Sequence, residues 1–234
     1  ADVEGLDAAR NVAIMASIAF NSRVSFEGVA SEGITKITAN DIRYAKEMGC
    51  CIKLIGMAHS DGTAIEAYVA PMLIPQDHPL ASVNDSYNAV FVRGDAVDDA
   101  MFLGRGAGEL PTASAVAGDV FDVARNIVHG CNGRISCTCF KHLPMMAMED
   151  VHSKYFLRVE VEDRIGVLAE MANVFAELKV SVEQIIQKQK KGDSTEIVVI
   201  TDKVREGDFK EAVKRISEKN ATREIRSTIR VYTV

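Results

Sequence analysis

The chain has 234 residues, room for one large or two small domains, each with its own core. Hydrophobic residues at 47% and charged residues at 26% argue against a disordered chain, and a net charge of −6 with no long lysine–arginine block argues against a nucleic-acid binder. No run of 18 apolar residues occurs, so no membrane span is expected, and the first residues lack the basic start and apolar middle of a signal peptide.

Residues 3–20 contain no proline and many alanines, and predict a helix. Leu6, Ala9, Ala13, Ala16 and Phe20 share one face, and Val12, Met15 and Ala19 a neighbouring one. A helix apolar over so much of its circumference is expected to be mostly buried. Glu4, Asp7 and Asn11 break the pattern as one polar stripe, either a solvated edge or the wall of a cleft. A second helix is capped by Thr38 or Asn40, turns Ile42, Ala45 and Met48 inward, and stops at Gly49. Residues 52–58 and 63–69 flank Ser60-Asp61-Gly62 and predict a hairpin, with Ile65, Ala67 and Val69 on one face. After a loop carrying Pro71, Pro75 and Pro79, residues 88–93 and 100–103 predict two more strands, joined through the Gly94-Asp95 turn. Antiparallel strands with helices on one side make an α+β layer. Gly104-Arg105-Gly106-Ala107-Gly108 precedes a third helix with Pro111 in its first turn, running to about Val128. Residues 131–153 lack a period and read as a linker between a first domain, residues 1–130, and a last one, residues 154–234.

The last 81 residues carry 16 basic and 14 acidic side chains against 11 and 19 in the remainder, consistent with a boundary near residue 153. Tyr155, Leu157, Val159 and Val161 alternate with Phe156, Arg158 and Glu160 in a strand. Leu168, Met171, Phe175 and Leu178 have helical spacing. Strands over 180–188 and 196–201, a helix anchored by Phe209, Val213 and Ile216, and a final strand with Ile225, Ser227, Ile229, Val231 and Thr233 alternating complete a βαββαβ, ferredoxin-like order. Lys188, Lys190 and Lys191 cluster at the hairpin turn and read as a solvated turn. Cys50, Cys51, Cys131, Cys137 and Cys139 are odd in number and read as reduced thiols of a cytoplasmic protein. Cys137-Thr138-Cys139 is too tight for a zinc pair, so no metal is expected.

Two resemblances follow. Residues 155–168, Tyr-Phe-Leu-Arg-Val-Glu-Val-Glu-Asp-Arg-Ile-Gly-Val-Leu, resemble the opening of an ACT domain, a module that pairs side by side and binds small ligands, often amino acids. Its matching stretch is Asp163, Arg164, Ile165, Gly166, Val167 and Leu168. Glycine at the strand-to-helix turn lets backbone N–H groups approach a carboxylate at a helix N-terminus. Asp163 either caps that helix or accepts from a ligand's ammonium. The opening Ala1-Asp-Val-Glu-Gly-Leu-Asp-Ala-Ala-Arg10, together with Glu32-Gly-Ile-Thr35, Asn88-Ala-Val-Phe91 and the run from Gly104 through Val116, is similar in order to the substrate region of homoserine dehydrogenases.

That resemblance implies reduction of aspartate semialdehyde to homoserine with a nicotinamide cofactor, on the branch toward threonine and methionine. It places substrate-binding aspartates at Asp2 and Asp7, the cofactor near Gly104, Gly106 and Gly108, and the catalytic lysine of the family at Asn11. An amide can donate a hydrogen bond, but it carries no charge and cannot deliver a proton as an ammonium can. No Gly-x-Gly-x-x-Gly fingerprint occurs, since Leu110-Pro111-Thr112 follows the glycine-rich run. The chain is therefore expected to be a piece of a longer enzyme and inactive by itself, with NAD(P) belonging to the full-length protein and none held by this chain. In the family the helix from Pro111 packs on the nucleotide domain, so Ala113, Val116, Val120, Val123 and Ile127 are expected to be exposed here. A homo-oligomer through sheet and ACT pairing and an amino-acid effector, threonine favoured, are also implied. The alternatives are a non-catalytic amino-acid sensor and an assembly module.

Overall fold

A computed structural model describes residues 1–133, 135–187 and 192–233. The lysines of the basic cluster, Lys188, Lys190 and Lys191, lie outside the described residues. The chain divides into two compact units, Pro75–Thr138 and the remainder.

In the larger unit, Gly5 in the left-handed region (φ +75°) starts α1 (Leu6–Phe20). Its inner face is the small-residue stripe Ala9, Val12, Ala13 and Ala16. The helix lies close to β2 (Cys50–Ser60), where a Cβ added at Gly56 would fall 2.4 Å from Val12 Cγ2. Burial follows this stripe because only small side chains let the helix axis approach the strand. Ile14 and Ile18, on the far side, are 61% and 66% exposed, so the helix is not buried all round as expected.

Thr38 caps α2 (Ala39–Glu47) through a capping box: its Oγ1 accepts from Asp41 N at 3.3 Å, and its own N donates to Asp41 Oδ2 at 2.8 Å. Asp41, Tyr44 and Ala45 form the inward face, whereas Ile42, expected inside, is exposed. β2 and β3 (Ile65–Pro75) form the expected hairpin, but β3 runs on through Pro71 to Pro75, where a loop was expected, because Met72 and Leu73 pair with a further strand. Asp61 holds the hairpin turn by accepting from Thr63 N and Ala64 N, with Gly62 at φ +90°.

The βαββαβ segment comprises β6 (His152–Glu162), α4 (Val167–Glu177), β7 (Val182–Gln187), β8 (Ser194–Thr201), α5 (Glu206–Ser217) and β10 (Thr222–Val231), with the two-residue β9 (Val204–Arg205) added beside β6. Its sheet does not end at β10. β10 pairs in parallel with β3, Arg230 opposite Met72 and Val231 opposite Leu73, and β1 (Ala30–Ser31) also pairs in parallel with β3. One sheet of eight strands results, ordered β1-β3-β10-β6-β8-β7 with β2 on β3 and β9 on β6.

Helices cover both faces. On one, Met171 and Phe175 of α4 and Phe209 and Ile216 of α5 meet Leu157, Val159, Val161 and Val199. On the other, Tyr44 and Ala45 of α2 meet Phe156, Val198, Ile200 and Ile229. Both parities of β6 are therefore buried, as in a sheet packed on two sides. A register shift between Ile225 and Ser227 breaks the even alternation expected of the last strand. Ile225 packs under α4 and α5, but Ile229 lies under α2, because one extra residue sends later side chains to the opposite face.

Residues 139–146 do more than link. Lys141 N donates to Asn21 O (2.8 Å), Ile65 N to Pro144 O (2.9 Å) and Met146 N to Ile65 O (2.8 Å), while Leu143 and Met145 join the core beneath α1. The compact division thus differs from the sequence division at residues 130 and 153, because β3–β10 pairing merges the two ends of the chain.

In the smaller unit, β4 (Tyr87–Gly94) and β5 (Asp98–Arg105) form a separate two-stranded sheet rather than extending the main layer. Arg93 donates to both carboxylate oxygens of Asp99 across it, at 2.6 and 2.8 Å. α3 (Glu109–Val128) follows, with no buried residue, so its apolar side chains are exposed as expected. No described helix is long and apolar enough to cross a membrane.

Candidate functional site

Asp2 lies in the turn before α1, where Asp2 O accepts from Gly5 N and Ala1 O from Leu6 N, both at 3.0 Å. Residues 31–34 hold that turn. Ser31 Oγ donates to Glu4 O at 3.0 Å and Ile34 N to Val3 O at 2.9 Å. A Cβ at Gly33 would fall 2.3 Å from Val3 O, and one at Gly5 would fall 2.8 Å from Ser31 Oγ. Both glycines are required by this close approach. The Glu-Gly-Ile motif at residues 32–34 is therefore the floor beneath the Asp2 turn.

Asp7 and Asn11 follow one turn apart on the exposed side of α1, with Asn11 Nδ2 donating to Asp7 Oδ2 at a long 3.4 Å. The stripe is open to solvent together with Asp2 and Glu4. It offers carboxylates suited to an ammonium, and an amide that donates a hydrogen bond but carries no charge.

Gly104, Gly106 and Gly108 lie in the smaller unit. Gly104 is open on its Cβ side and pairs with Asn88 across β4 and β5. At Gly106 the missing side chain leaves room for Asn88 itself, whose Nδ2 would lie 1.7 Å from an added Cβ. Gly108, at φ +124°, caps α3. Of the three, only Gly104 faces open space: the space at Gly106 is filled by Asn88, and a Cβ at Gly108 would meet Pro111 Cδ at 3.3 Å. Among the described residues no group of three or more His, Cys, Asp or Glu is placed to hold a metal.

The loop before α4 splits into parts with different tasks. Gly166, in the left-handed region at φ +94°, is itself the N-cap residue, so Asp163 does not take that position. Asp163 N donates to Asp193 O at 3.0 Å, tying the loop to the next hairpin. Arg164 Nη2 donates to Glu170 Oε1 at 2.8 Å. Val167 is a core residue, Leu168 is part-exposed, and Ile165 projects fully into solvent. No side chain caps the start of α4, and the first N–H groups of a helix have no partner within it.

Two buried ionic clusters escaped the sequence reading. Arg158 of β6 donates to Asp41 Oδ1 (3.0 Å), Glu196 Oε1 (2.9 Å) and Thr38 Oγ1 (3.2 Å), while Ser227 Oγ donates to Asp41 at 2.6 Å. Tyr44 OH donates to Glu196. Burial, then the Glu196 carboxylate, push the Tyr44 hydroxyl up to about 12. Burial pulls Asp41 upward, but hydrogen bonds from Ser227 and Thr38 and the Arg158 charge outweigh it and hold the carboxyl below its ordinary value. In the second cluster Arg230 of β10 donates to Glu206 Oε2 at 2.6 Å and Glu32 Oε2 at 3.2 Å, its guanidinium 5.1 Å from the Tyr68 ring centre. The available signal was an arginine at a core-facing strand position; its partners are up to 198 positions away.

Residues 1–121 match the family model described as homoserine dehydrogenase, and residues 155–220 match that of the ACT domain. The homoserine dehydrogenase of Bacillus subtilis (strain 168) is 40% identical over 232 residues, which is 98% of this chain and 54% of the relative. That of Corynebacterium glutamicum is 44% identical over 236 residues, 99% of this chain and 53% of the relative. A crystal structure of a homoserine dehydrogenase from Thiobacillus denitrificans superposes with a TM-score of 0.90 at 36% identity, covering 99% of this chain and 54% of that one. The chain spans about half the length of the curated relatives it matches.

Proposed function

The chain belongs to the homoserine dehydrogenase family, and from that premise we propose that it is the substrate-holding, self-pairing and regulatory portion of an enzyme reducing L-aspartate semialdehyde to L-homoserine. Residues 1–130 form the substrate domain and residues 154–234 the ACT domain, joined through residues 131–153. The observation that carries this reading is the Asp2 turn and the Asp7–Asn11 stripe, docked on residues 31–34 within the matched region. Asp2 and Asp7 bind the substrate's ammonium, and Asn11 orients rather than protonates. NAD(P)H, when bound, would supply the hydride; the family resemblance puts it near Gly104, Gly106 and Gly108, of which Gly104 faces open space. The 234 residues contain no strand–glycine–helix fingerprint for that cofactor, so by themselves they do not turn over. Residues 163–168 receive an amino-acid effector, threonine favoured, whose carboxylate meets the start of α4. Homo-oligomers form through the sheets and the ACT domains.

A sensor without catalysis is the second reading, favoured by the amide at Asn11 where the family has a lysine.

Calorimetric titration with L-threonine, against L-methionine, L-lysine and L-serine, tests the regulatory part. Saturable threonine binding lost in Asp163→Asn and Gly166→Ala is expected; no binding by any of the four removes the effector role. In parallel, the full-length protein is expected to oxidise NADPH with aspartate semialdehyde and the 234 residues alone are not. An inactive full-length protein that still binds threonine would favour the sensor.

A further inference from the structure

Arg230 sits between two carboxylates of different standing. Glu206 is buried and also accepts from Tyr155 OH (3.2 Å) and from Lys210, 2.8 Å away. Glu32 is 44% exposed and accepts from Arg230. The sheet brings this about. Ser31 pairs opposite Val69, and Arg230 pairs opposite Met72, on the same strand. Val69 O accepts from Glu32 N and Leu73 O from Tyr232 N, each at 2.8 Å. Carbonyls four residues apart on a strand point to one edge, so β1 and the end of β10 lie end to end along β3. The last strand of the ACT unit thereby reaches the residues that floor the Asp2 turn.

We infer that Glu32 and Arg230 are positioning residues: their ion pair anchors residues 31–34, which hold the turn carrying Asp2, and so ties the order of β10 to the substrate-holding group. This rests on the reading of Asp2 as a substrate ligand. The path is short. Arg230 grips Glu32. The neighbouring Ser31 donates to Glu4 O, Gly33 lies against the Val3–Glu4 backbone, and Ile34 N donates to Val3 O. A loosened β10 releases Glu32 and, one residue on either side, the contacts that orient the turn. Both ends of the path lie in one compact unit and on one strand edge.

Glu32→Ala in the full-length enzyme tests the inference, with Glu32→Gln as the conservative variant that keeps an acceptor. Both keep the Arg230–Glu206 pair, and an unchanged melting midpoint confirms intact folding. Amide exchange by mass spectrometry is expected to quicken about fivefold or more at Gly5, Leu6 and Ile34 in Glu32→Ala, less in Glu32→Gln, and not in α5 or β8. KM for aspartate semialdehyde is expected to rise about fivefold with kcat within about twofold. Unchanged exchange at the turn overturns the inference. Asp2→Asn separates the two ideas. If it leaves KM unmoved, Asp2 is not a substrate ligand and the inference falls with it as a statement about positioning. If it raises KM while Glu32→Ala does not, the inference alone fails.

Discussion

At the residue scale, the cluster around Arg158 shows how a strand that reads as ordinary becomes a junction. Its guanidinium is buried in the sheet, and Asp41, the capping-box residue of α2, is one of its two counter-charges, beside Glu196. One carboxylate thus closes the helix N-terminus and helps neutralise a buried arginine. Removing Asp41 leaves Arg158 paired with Glu196 alone and takes away hydrogen bonds to a charged group, a loss of about 1.5–3 kcal/mol. Asp41→Ala is accordingly expected to lower the urea midpoint by that much stability, more than the ~1 kcal/mol of a lost cap alone. The pH dependence has a definite sign. Asp41 titrates lower in the folded than in the unfolded chain, so its stabilisation is complete above about pH 4 and is lost as the pH falls through the folded value. Wild type should lose stability across that acid range, and Asp41→Asn should have a flatter acid limb. Equal slopes in urea titrations at successive pH values would remove Asp41 from the account.

At the element scale, α1 and β2 meet through absence. Gly56 carries no side chain because Val12 occupies its place, and the alanine stripe of α1 extends the same contact. Adding a methyl group there forces the helix outward. Gly56→Ala is expected to cost about 1–3 kcal/mol, as overpacking does. Val12→Ala opens the same space, so the double variant should lose less than the sum of the two singles. Additive losses in denaturant unfolding would show that the two sites do not touch. β10 makes the complementary point: its bulge lets one strand serve both cores, Ile225 under α4 and α5, Ile229 under α2.

At the scale of the whole molecule, the ACT segment is joined to the beginning of the chain by a continuous sheet and by both ionic clusters. The smaller unit leaves the apolar face of α3 open, with Val116, Val120 and Phe121 each more than half exposed. Contiguous apolar surface of this kind drives association in water. The 234 residues alone are expected to give a mass by light scattering that grows with concentration, and Val116→Glu with Val120→Glu should suppress the growth. A constant monomer mass for the unaltered chain would contradict this.

The sequence by itself determined the hairpin turn and the βαββαβ order, because each is written in local periodicity and turn chemistry; it narrowed the cap of α2 to Thr38 or Asn40, and the exposed face of α3 followed from the family resemblance. It also determined that Asp7 and Asn11 share one face, since helical spacing alone sets it, whereas Asp2 entered through the family resemblance. Only the tertiary structure decided that Asp41 rather than Ile42 faces inward, that Ile225 and Ile229 serve different cores, and that Arg230 reaches Glu32. These depend on which distant strands become neighbours. Parallel pairing of β3 with β10 joins residues more than 150 positions apart, and nothing in either strand's own pattern specifies its partner.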